Sequence, residues 1–183
     1  AVGPEGRVRA VELDPRRADR LRGNVERLGL GNVEVVVGDA RELVLDGAFA
    51  DGADGVLLDA PCTGLGTVRR RPDIKLRRGE EDIVARAALQ RELLRAAARY
   101  TRPEGTLVYA VCSPVPAEGA DVITDFLAED PSFARGPATE VLPTLPAAAV
   151  DVLGQLALST HRHQTDAFFA ARLKRPRAPG SPP

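Results

Sequence analysis

Two periods of apolar and polar positions take turns along this chain. The run Arg7-Val8-Arg9-Ala10-Val11-Glu12-Leu13-Asp14 alternates every second residue and ends in acids, as a half-buried strand does. Pro15 then opens a helical stretch in which Ala18, Leu21, Val25 and Leu28 recur at spacings of three and four, closed by Gly29. Val33 to Val37 is a β-branched strand run ending at Gly38-Asp39. Gly55-Val56-Leu57-Leu58-Asp59 predicts a short buried strand, followed by an irregular basic loop that reaches Gly79. A long helix is predicted from about Glu80 to Tyr100, with Ile83, Ala87, Leu94 and Ala98 on one stripe. Pro103-Glu104-Gly105 predicts the turn into a strand over Thr106 to Val111, and Ala120, Ile123, Phe126 and Leu127 mark another helix. Residues 131 to 160 are rich in proline and alanine and carry no clear period. Ala167 to Leu173 reads as a last strand, and 176 to 183 as a disordered tail. The alternation of strand and helix predicts an α/β domain over residues 1–175, with a parallel sheet covered on both faces.

Composition narrows the class. At 183 residues, with 44% hydrophobic and 28% charged positions, the chain suits one folded domain with a sizeable core and neither a disordered nor a membrane protein. The most apolar late stretch, Ala147 to Leu158, carries Asp151 and follows Pro143 and Pro146, so it predicts no transmembrane span. The amino terminus shows no basic region followed by an apolar core. With no export signal read there, two cysteines fit a reducing compartment, and the expected location is cytoplasmic. A net charge of -1 gives no global attraction to nucleic acid, so any such contact must be local. Arginine supplies nearly all the positive charge, Lys75 and Lys174 being the only lysines, which fits codon bias in a GC-rich genome.

Candidate chemistry gathers at strand ends, where open α/β sheets place their ligands. Glu12 or Asp14 is positioned to bind a ribose hydroxyl pair, and Asp39, one strand further on, to reach an adenine. Acid-ended strands also arise for solubility, and the spacing fits a nicotinamide-dinucleotide enzyme and an S-adenosylmethionine enzyme equally. Two thiols add a second signal. Asp59-Ala60-Pro61-Cys62 places an acid and a thiol at the end of one strand, and Cys112 follows another. With the long helix between them, the two strands are expected to be sheet neighbours. Either cysteine alone reads as an inert core residue, but Pro61 and Thr63-Gly64 put Cys62 in a turn beyond its strand. No metal site is expected, because the two cysteines and His161 and His163 lack close ligand pairs. The loop after Cys62 carries Arg69, Arg70, Arg71, Lys75, Arg77 and Arg78 against one acid, Asp73. A solvated charged surface is the ordinary reading of such a run; its place beside the candidate catalytic turn favours contact with an RNA backbone. Aromatic residues make up 4%, too few for extensive base stacking.

Asp59-Ala60-Pro61-Cys62-Thr63-Gly64-Leu65-Gly66, Arg71-Pro72-Asp73-Ile74 and Tyr109-Ala110-Val111-Cys112-Ser113 together resemble the Sun/Nop group of RNA (cytosine-5) methyltransferases, closest to its bacterial 16S ribosomal RNA branch. Glu12-Leu13-Asp14, Gly38-Asp39-Ala40, Pro116 with Glu118, and the run His161 to Phe169 extend the resemblance over nearly the whole chain. It implies a Rossmann-like sheet with an antiparallel last strand, S-adenosylmethionine as cofactor, and RNA as partner, ribosomal RNA first and transfer RNA second. It makes Cys112 the nucleophile that adds to C6 of cytosine, Cys62 the residue that serves product release, and Asp59 the group that hydrogen-bonds the cytosine edge. It assigns Glu12, Asp39 and Asp59 to the cofactor. His161, Arg162 and His163 fit the rim of the site and fit ordinary surface residues at least as well.

The chain also departs from that pattern. Val2-Gly3-Pro4-Glu5-Gly6 matches the turn into the family's second strand, so the first strand, its glycine-rich loop and the first helix are missing. With no methionine in the chain, this reads as the carboxyl-terminal part of a longer protein. Val111 stands where threonine is usual, and Ala117 and Gly119 alter the acidic motif that follows. Two rivals stay open: a catalytically silent RNA-binding remnant, and a dithiol redox protein, the latter lacking Cys-X-X-Cys spacing.

Overall fold

The structure is a computed structural model that describes residues 2–177; of the expected tail, residues 178–183 lie outside the described residues. Contacts divide the chain between Asp51 and Gly52 into two compact units.

In the first unit, β1 (Val8–Glu12) pairs in parallel with β2 (Val33–Val37), with Val8 opposite Val33 and Glu12 opposite Val37. The helix α1 (Pro15–Arg27) connects them. Asp14 caps it by accepting the backbone N–H groups of Arg16 and Arg17, and Pro15 occupies the first turn, where no N–H is needed. Ala18 is the fully buried contact on its inner face. Asn32 donates to the carbonyls of Gly3 and Gly6, tying the entry of β1 to that of β2. Arg9 bridges Glu34 and Asp46 while its guanidinium lies 4.9 Å from the centre of the Phe49 ring.

The second unit runs β3 (Ala53–Asp59), α2 (Ile74–Arg77), α3 (Glu80–Tyr100), β4 (Thr101–Val111), α4 (Ala120–Glu129), β5 (Ala134–Gly136), β6 (Leu156–Leu158), α5 (Thr160–His163) and β7 (Phe168–Lys174). Its sheet has the order β3-β4-β7-β5, with β6 also on β7. Strand–helix alternation alone points to a parallel sheet, but the sheet is mixed, with the antiparallel last strand that the family resemblance implied: β3 and β4 are parallel, whereas β7 is antiparallel to β4, β5 and β6. The reason lies in the connections. A parallel neighbour needs a crossover of a dozen or more residues, usually helical. The helix α3 supplies one between β3 and β4, whereas β6 reaches β7 through the four-residue α5. The basic loop also contains more structure than expected, since Ile74–Arg77 closes a helical turn.

Period-two alternation builds one core. Leu107, Tyr109 and Val111 of β4 and Phe169, Ala171 and Leu173 of β7 cluster with Leu94, Ala97 and Ala98 of α3 and with Val122, Ile123 and Phe126 of α4. Each fully buried leucine here stabilises the fold by about 2 kcal/mol through apolar transfer. The acids Glu80, Glu81 and Asp82 favour the positive end of the α3 dipole, and Asp82 also accepts the N–H of Gly79. Arg91 with Asp125 and Arg95 with Glu129 link α3 to α4 across their exposed sides. On β3, Val56 and Leu58 pack against the core while Leu57 points the other way and is 71% exposed. Within this unit the expectation of two covered faces is therefore not met at Leu57. Between β3 and β4 the register shifts, Ala53 facing Thr101 and Gly55 facing Thr106, which puts the predicted turn Pro103-Glu104-Gly105 in a bulge of β4. No helix of the described residues is long and apolar enough to cross a membrane.

Candidate active site

Asp59, exposed at the carboxyl end of β3, lies opposite Ala110 of β4. The ladder continues for one bond, Ala60 N–H to Ala110 carbonyl at 2.9 Å, and then Pro61 has no N–H to extend it. The chain turns through Gly64, whose φ of 76° is one that side chains rarely tolerate. The turn is then laced to two strand ends. Gly66 donates to the carbonyl of Cys112 at 3.0 Å and accepts from Ala167 N–H at 2.9 Å. This lacing brings the two sulfurs together: Cys62 Sγ and Cys112 Sγ stand 3.4 Å apart, both half-buried and both free thiols. The expected neighbour relation of the two cysteine-bearing strands is what the sheet contains.

Beneath the thiols lies a buried carboxylate whose position sequence reasoning left unassigned. Glu118, in the turn Pro116–Glu118, is fully buried. Its Oε1 accepts the backbone N–H of Thr63 at 2.7 Å and Gln90 Nε2 at 3.4 Å. Its Oε2 accepts the hydroxyls of Thr63 at 2.6 Å and Ser113 at 2.5 Å. Gln90, also fully buried, donates in addition to the carbonyl of Pro61 at 2.9 Å. Tyr109 donates its hydroxyl to the Glu118 carbonyl at 2.6 Å. A signal for this cluster was present in the sequence: each cysteine is followed by a hydroxyl residue, Cys62-Thr63 and Cys112-Ser113.

The two thiols are electrostatically unequal. The S–H of Cys62 donating to Cys112 lowers the Cys112 pKa to about 7, against desolvation and the negative charges of Asp59 and Glu118. The same hydrogen bond, then burial, then the Cys112 charge push Cys62 well above the ordinary thiol range. The pair thus shares one S–H across the contact when it first ionises, and Cys112 is the more acidic of the two sulfurs.

The other predicted residues distribute as follows. Glu12 ends β1 and accepts Asp14 N–H and Arg17 through Oε1, leaving Oε2 without a partner among the described residues. Asp14 caps α1 through Oδ1 while its Oδ2 lies 3.9 Å from Arg17 Nε, so each of the two ribose candidates keeps one carboxylate oxygen outside its hydrogen bonds. Asp39 is held by the Arg41 side chain and N–H, which lower its pKa to about 2. In the basic loop, Arg70 pairs with Asp166, Arg69 lies 4.0 Å from the same carboxylate, Arg77 pairs with Asp73 at 3.3 Å, and Arg78 with Asp82 at 3.5 Å. Arg71 and Lys75 are exposed and form no ion pair among the described residues. His163 accepts Ser159 N–H at Nδ1 and meets the Ala148 carbonyl at Nε2, so it fastens α5. His161 and Arg162 are exposed on α5. Among the described residues no group of three His, Cys, Asp or Glu is placed to hold a metal ion. A cleft of about 660 Å³ beside α1 and β2, lined by Arg22, Val25, Leu30 and Val35, contains none of the predicted site residues.

A mixed sheet with an antiparallel last strand and functional groups at its parallel strand ends defines a Rossmann-like methyltransferase fold. An S-adenosylmethionine-dependent methyltransferase from Aquifex aeolicus, 15% identical, shares that fold with a TM-score of 0.54 over 95% of this chain and 71% of its own. More specifically, residues 1–174 match the family described as 16S rRNA methyltransferase RsmB/F, and the chain belongs to it. Among its relatives are the putative methyltransferase Rv1407 of Mycobacterium tuberculosis H37Rv, 44% identical over 92% of this chain and 35% of its own, and the ribosomal RNA small subunit methyltransferase B of Shewanella oneidensis, 38% identical over 93% of this chain and 38% of its own. Solved structures of similar shape include PH0851, with a TM-score of 0.82 and 37% identity over 93% of this chain and 37% of that one. NSun6 from Pyrococcus horikoshii, solved with SFG, has a TM-score of 0.79 and 27% identity over 96% of this chain and 43% of that one. The chain spans little more than a third of the length of the curated relatives named here.

Proposed function

We propose that this chain carries the reacting thiols of an S-adenosylmethionine-dependent RNA (cytosine-5) methyltransferase acting on ribosomal RNA. The observation that carries the reading is the thiol pair at 3.4 Å on neighbouring strand ends, with the more acidic sulfur on Cys112. A relative named ribosomal RNA small subunit methyltransferase B supports the substrate class. In the first unit, the open Oε2 of Glu12 at the end of β1 fits a ribose hydroxyl, and Asp39 fits the adenine if it shares its oxygens with Arg41. Bound there, S-adenosylmethionine supplies an electrophilic methyl group.

The chain's own residues supply the rest. C5 of cytosine is a weak nucleophile, so the Cys112 thiolate first forms an S–C6 bond and the C5=C6 π pair moves onto C5 and the conjugated C4–N3 unit. Asp59, exposed at the end of β3, accepts hydrogen bonds from the protonated N3 and the exocyclic amine, which favours the ring form that takes up this charge. Once C5 is methylated, loss of its proton to solvent returns the pair to C5=C6 and expels Cys112 as a thiolate. The Cys62 S–H stabilises that leaving group by hydrogen bonding. Exposed Arg71 and Lys75 serve phosphate contact beside the turn.

The test is made in the full-length enzyme. Cys112→Ala is expected to abolish both methyl transfer and any covalent RNA adduct. Cys62→Ala is expected to accumulate an adduct that survives a denaturing gel, because addition proceeds while elimination stalls. Adduct formation by the Cys112→Ala protein overturns the assignment.

A further inference from the structure

The Glu118 carboxylate holds donors from both cysteine turns at once. Oε2 is shared by the hydroxyl one residue beyond Cys62 and the hydroxyl one residue beyond Cys112, and Oε1 takes the peptide N–H that follows Cys62. The two turns leave different strands, β3 and β4, and the position of each sulfur depends on its own turn. A carboxylate offers acceptor sites for all of these donors without presenting a proton of its own. Burial of an ionised group is costly unless hydrogen bonds saturate it, and four donors do so here. The Tyr109 hydroxyl fixes the backbone of Glu118 to β4, so the carboxylate is itself anchored.

We propose that Glu118 is a positioning residue that sets the separation and orientation of the Cys62 and Cys112 sulfurs. This deepens the reading of the two thiols as a working pair and rests on it for its functional meaning. An electrostatic purpose is excluded by sign, since the negative charge of Glu118 disfavours a thiolate on either cysteine. What the residue contributes is geometry: it brings the Cys62 S–H to the Cys112 sulfur, and that contact has the larger, opposite effect. Gln90 reinforces the arrangement by holding the Pro61 carbonyl and the carboxylate with one amide.

The pH dependence of iodoacetamide labelling at each cysteine, read by mass spectrometry of the separated peptides, tests this without requiring methyl transfer. In the unaltered chain Cys112 labelling is expected to be half-maximal near pH 7, with Cys62 far less reactive. Glu118→Ala and Thr63→Val each remove struts; both are expected to move the Cys112 midpoint up towards the ordinary thiol value of about 8.5, lowering its thiolate fraction at pH 7 by up to about fifteenfold. Glu118→Gln keeps an acceptor for the Thr63 N–H and a group that both hydroxyls can bond, while losing the charge. Its midpoint is expected to stay at or below that of the unaltered chain, so the conservative variant rescues. Equal midpoints in all proteins, or a downward shift in Glu118→Ala, overturn the proposal. If Glu118→Ala is unfolded by circular dichroism, Thr63→Val alone decides. A Cys112→Ala enzyme that still transfers methyl groups would refute the functional reading while leaving these midpoints unchanged, so the two failures are distinguishable.

Discussion

Gly66 and Ala167 meet backbone to backbone at the point where the Cys62 turn crosses the start of β7. Ala167 donates its N–H to the Gly66 carbonyl at 2.9 Å, and Gly66 donates its own N–H to Cys112. The approach is so close that a Cβ on Gly66 would stand 2.1 Å from the Ala167 carbonyl oxygen and 2.7 Å from that of Cys112. Glycine is required here for space, and the same contact that excludes a side chain registers the first thiol against the second.

Gly66→Ala is therefore expected to destabilise the chain by about 3 kcal/mol, because the obstructing atoms are backbone and cannot rotate aside. Urea denaturation would show this as a lower midpoint with an unchanged slope. A midpoint equal to that of the unaltered chain would mean that the turn and β7 are not held together as described.

Removing the donor thiol should reveal how much of the acidity of Cys112 is borrowed. With Cys62→Ala the S–H contact at 3.4 Å is lost, and the remaining influences on Cys112, burial foremost together with the charges of Asp59 and Glu118, mostly raise its pKa. The sign follows: the thiolate is the reactive form, so labelling rises with pH, and its midpoint moves from about 7 upward. At pH 7 the alkylation rate of Cys112 is expected to fall about tenfold or more. A faster rate would show that Cys62 suppresses the thiolate instead of supporting it.

Two thiols at van der Waals distance should also trap one another. Treatment with diamide, which takes up the two electrons and two protons released, is expected to convert Cys62 and Cys112 into one disulfide, since Cys112 ionises near neutral pH. The readout is loss of both titratable thiols, restored by dithiothreitol. Persistence of two free thiols under conditions that oxidise a small dithiol would contradict the 3.4 Å approach of the two sulfurs.

Much of this arrangement was legible in the sequence because its signals are local. The β-branched run Val33–Val37 and the long stripe of α3, Glu80–Tyr100, fold over the residues their periods mark. Fifty residues containing one long helix put Cys62 and Cys112 on adjacent parallel strands, since a helical crossover of that length returns the chain to the next strand. The poorly periodic stretch 131–160 was not legible because β5 and β6 are three residues long and exist through their pairing with β7. Glu118 escaped assignment for a related reason. Its partners Thr63 and Gln90 are distant in sequence, and a lone glutamate in a turn ordinarily faces water. The arginine run was legible as charge but not as pairing, because the acid facing Arg70 is Asp166, at the other end of the unit.

That pairing changes which basic residues should carry RNA contact. Arg70 is bound to Asp166, whose side chain is 17% exposed, and Arg77 and Arg78 each face an acid four residues away. These arginines begin with part of their charge already compensated, whereas Arg71 and Lys75 are exposed and form no ion pair among the described residues. Each phosphate contact to single-stranded RNA contributes about -0.7 to the slope of log affinity against log salt. Arg71→Ala combined with Lys75→Ala is thus expected to weaken RNA binding and flatten that slope by up to about 1.4 units, with little change in base preference. Arg70→Ala is expected to act chiefly on stability, at about 1 kcal/mol or less, through loss of the Asp166 pair. Filter binding across a salt series, together with thermal denaturation of both proteins, separates the two roles. An unaltered slope in the Arg71/Lys75 double variant would return this loop to a solvated charged surface, and a flattened slope in Arg70→Ala would mean that RNA displaces Asp166 from its partner.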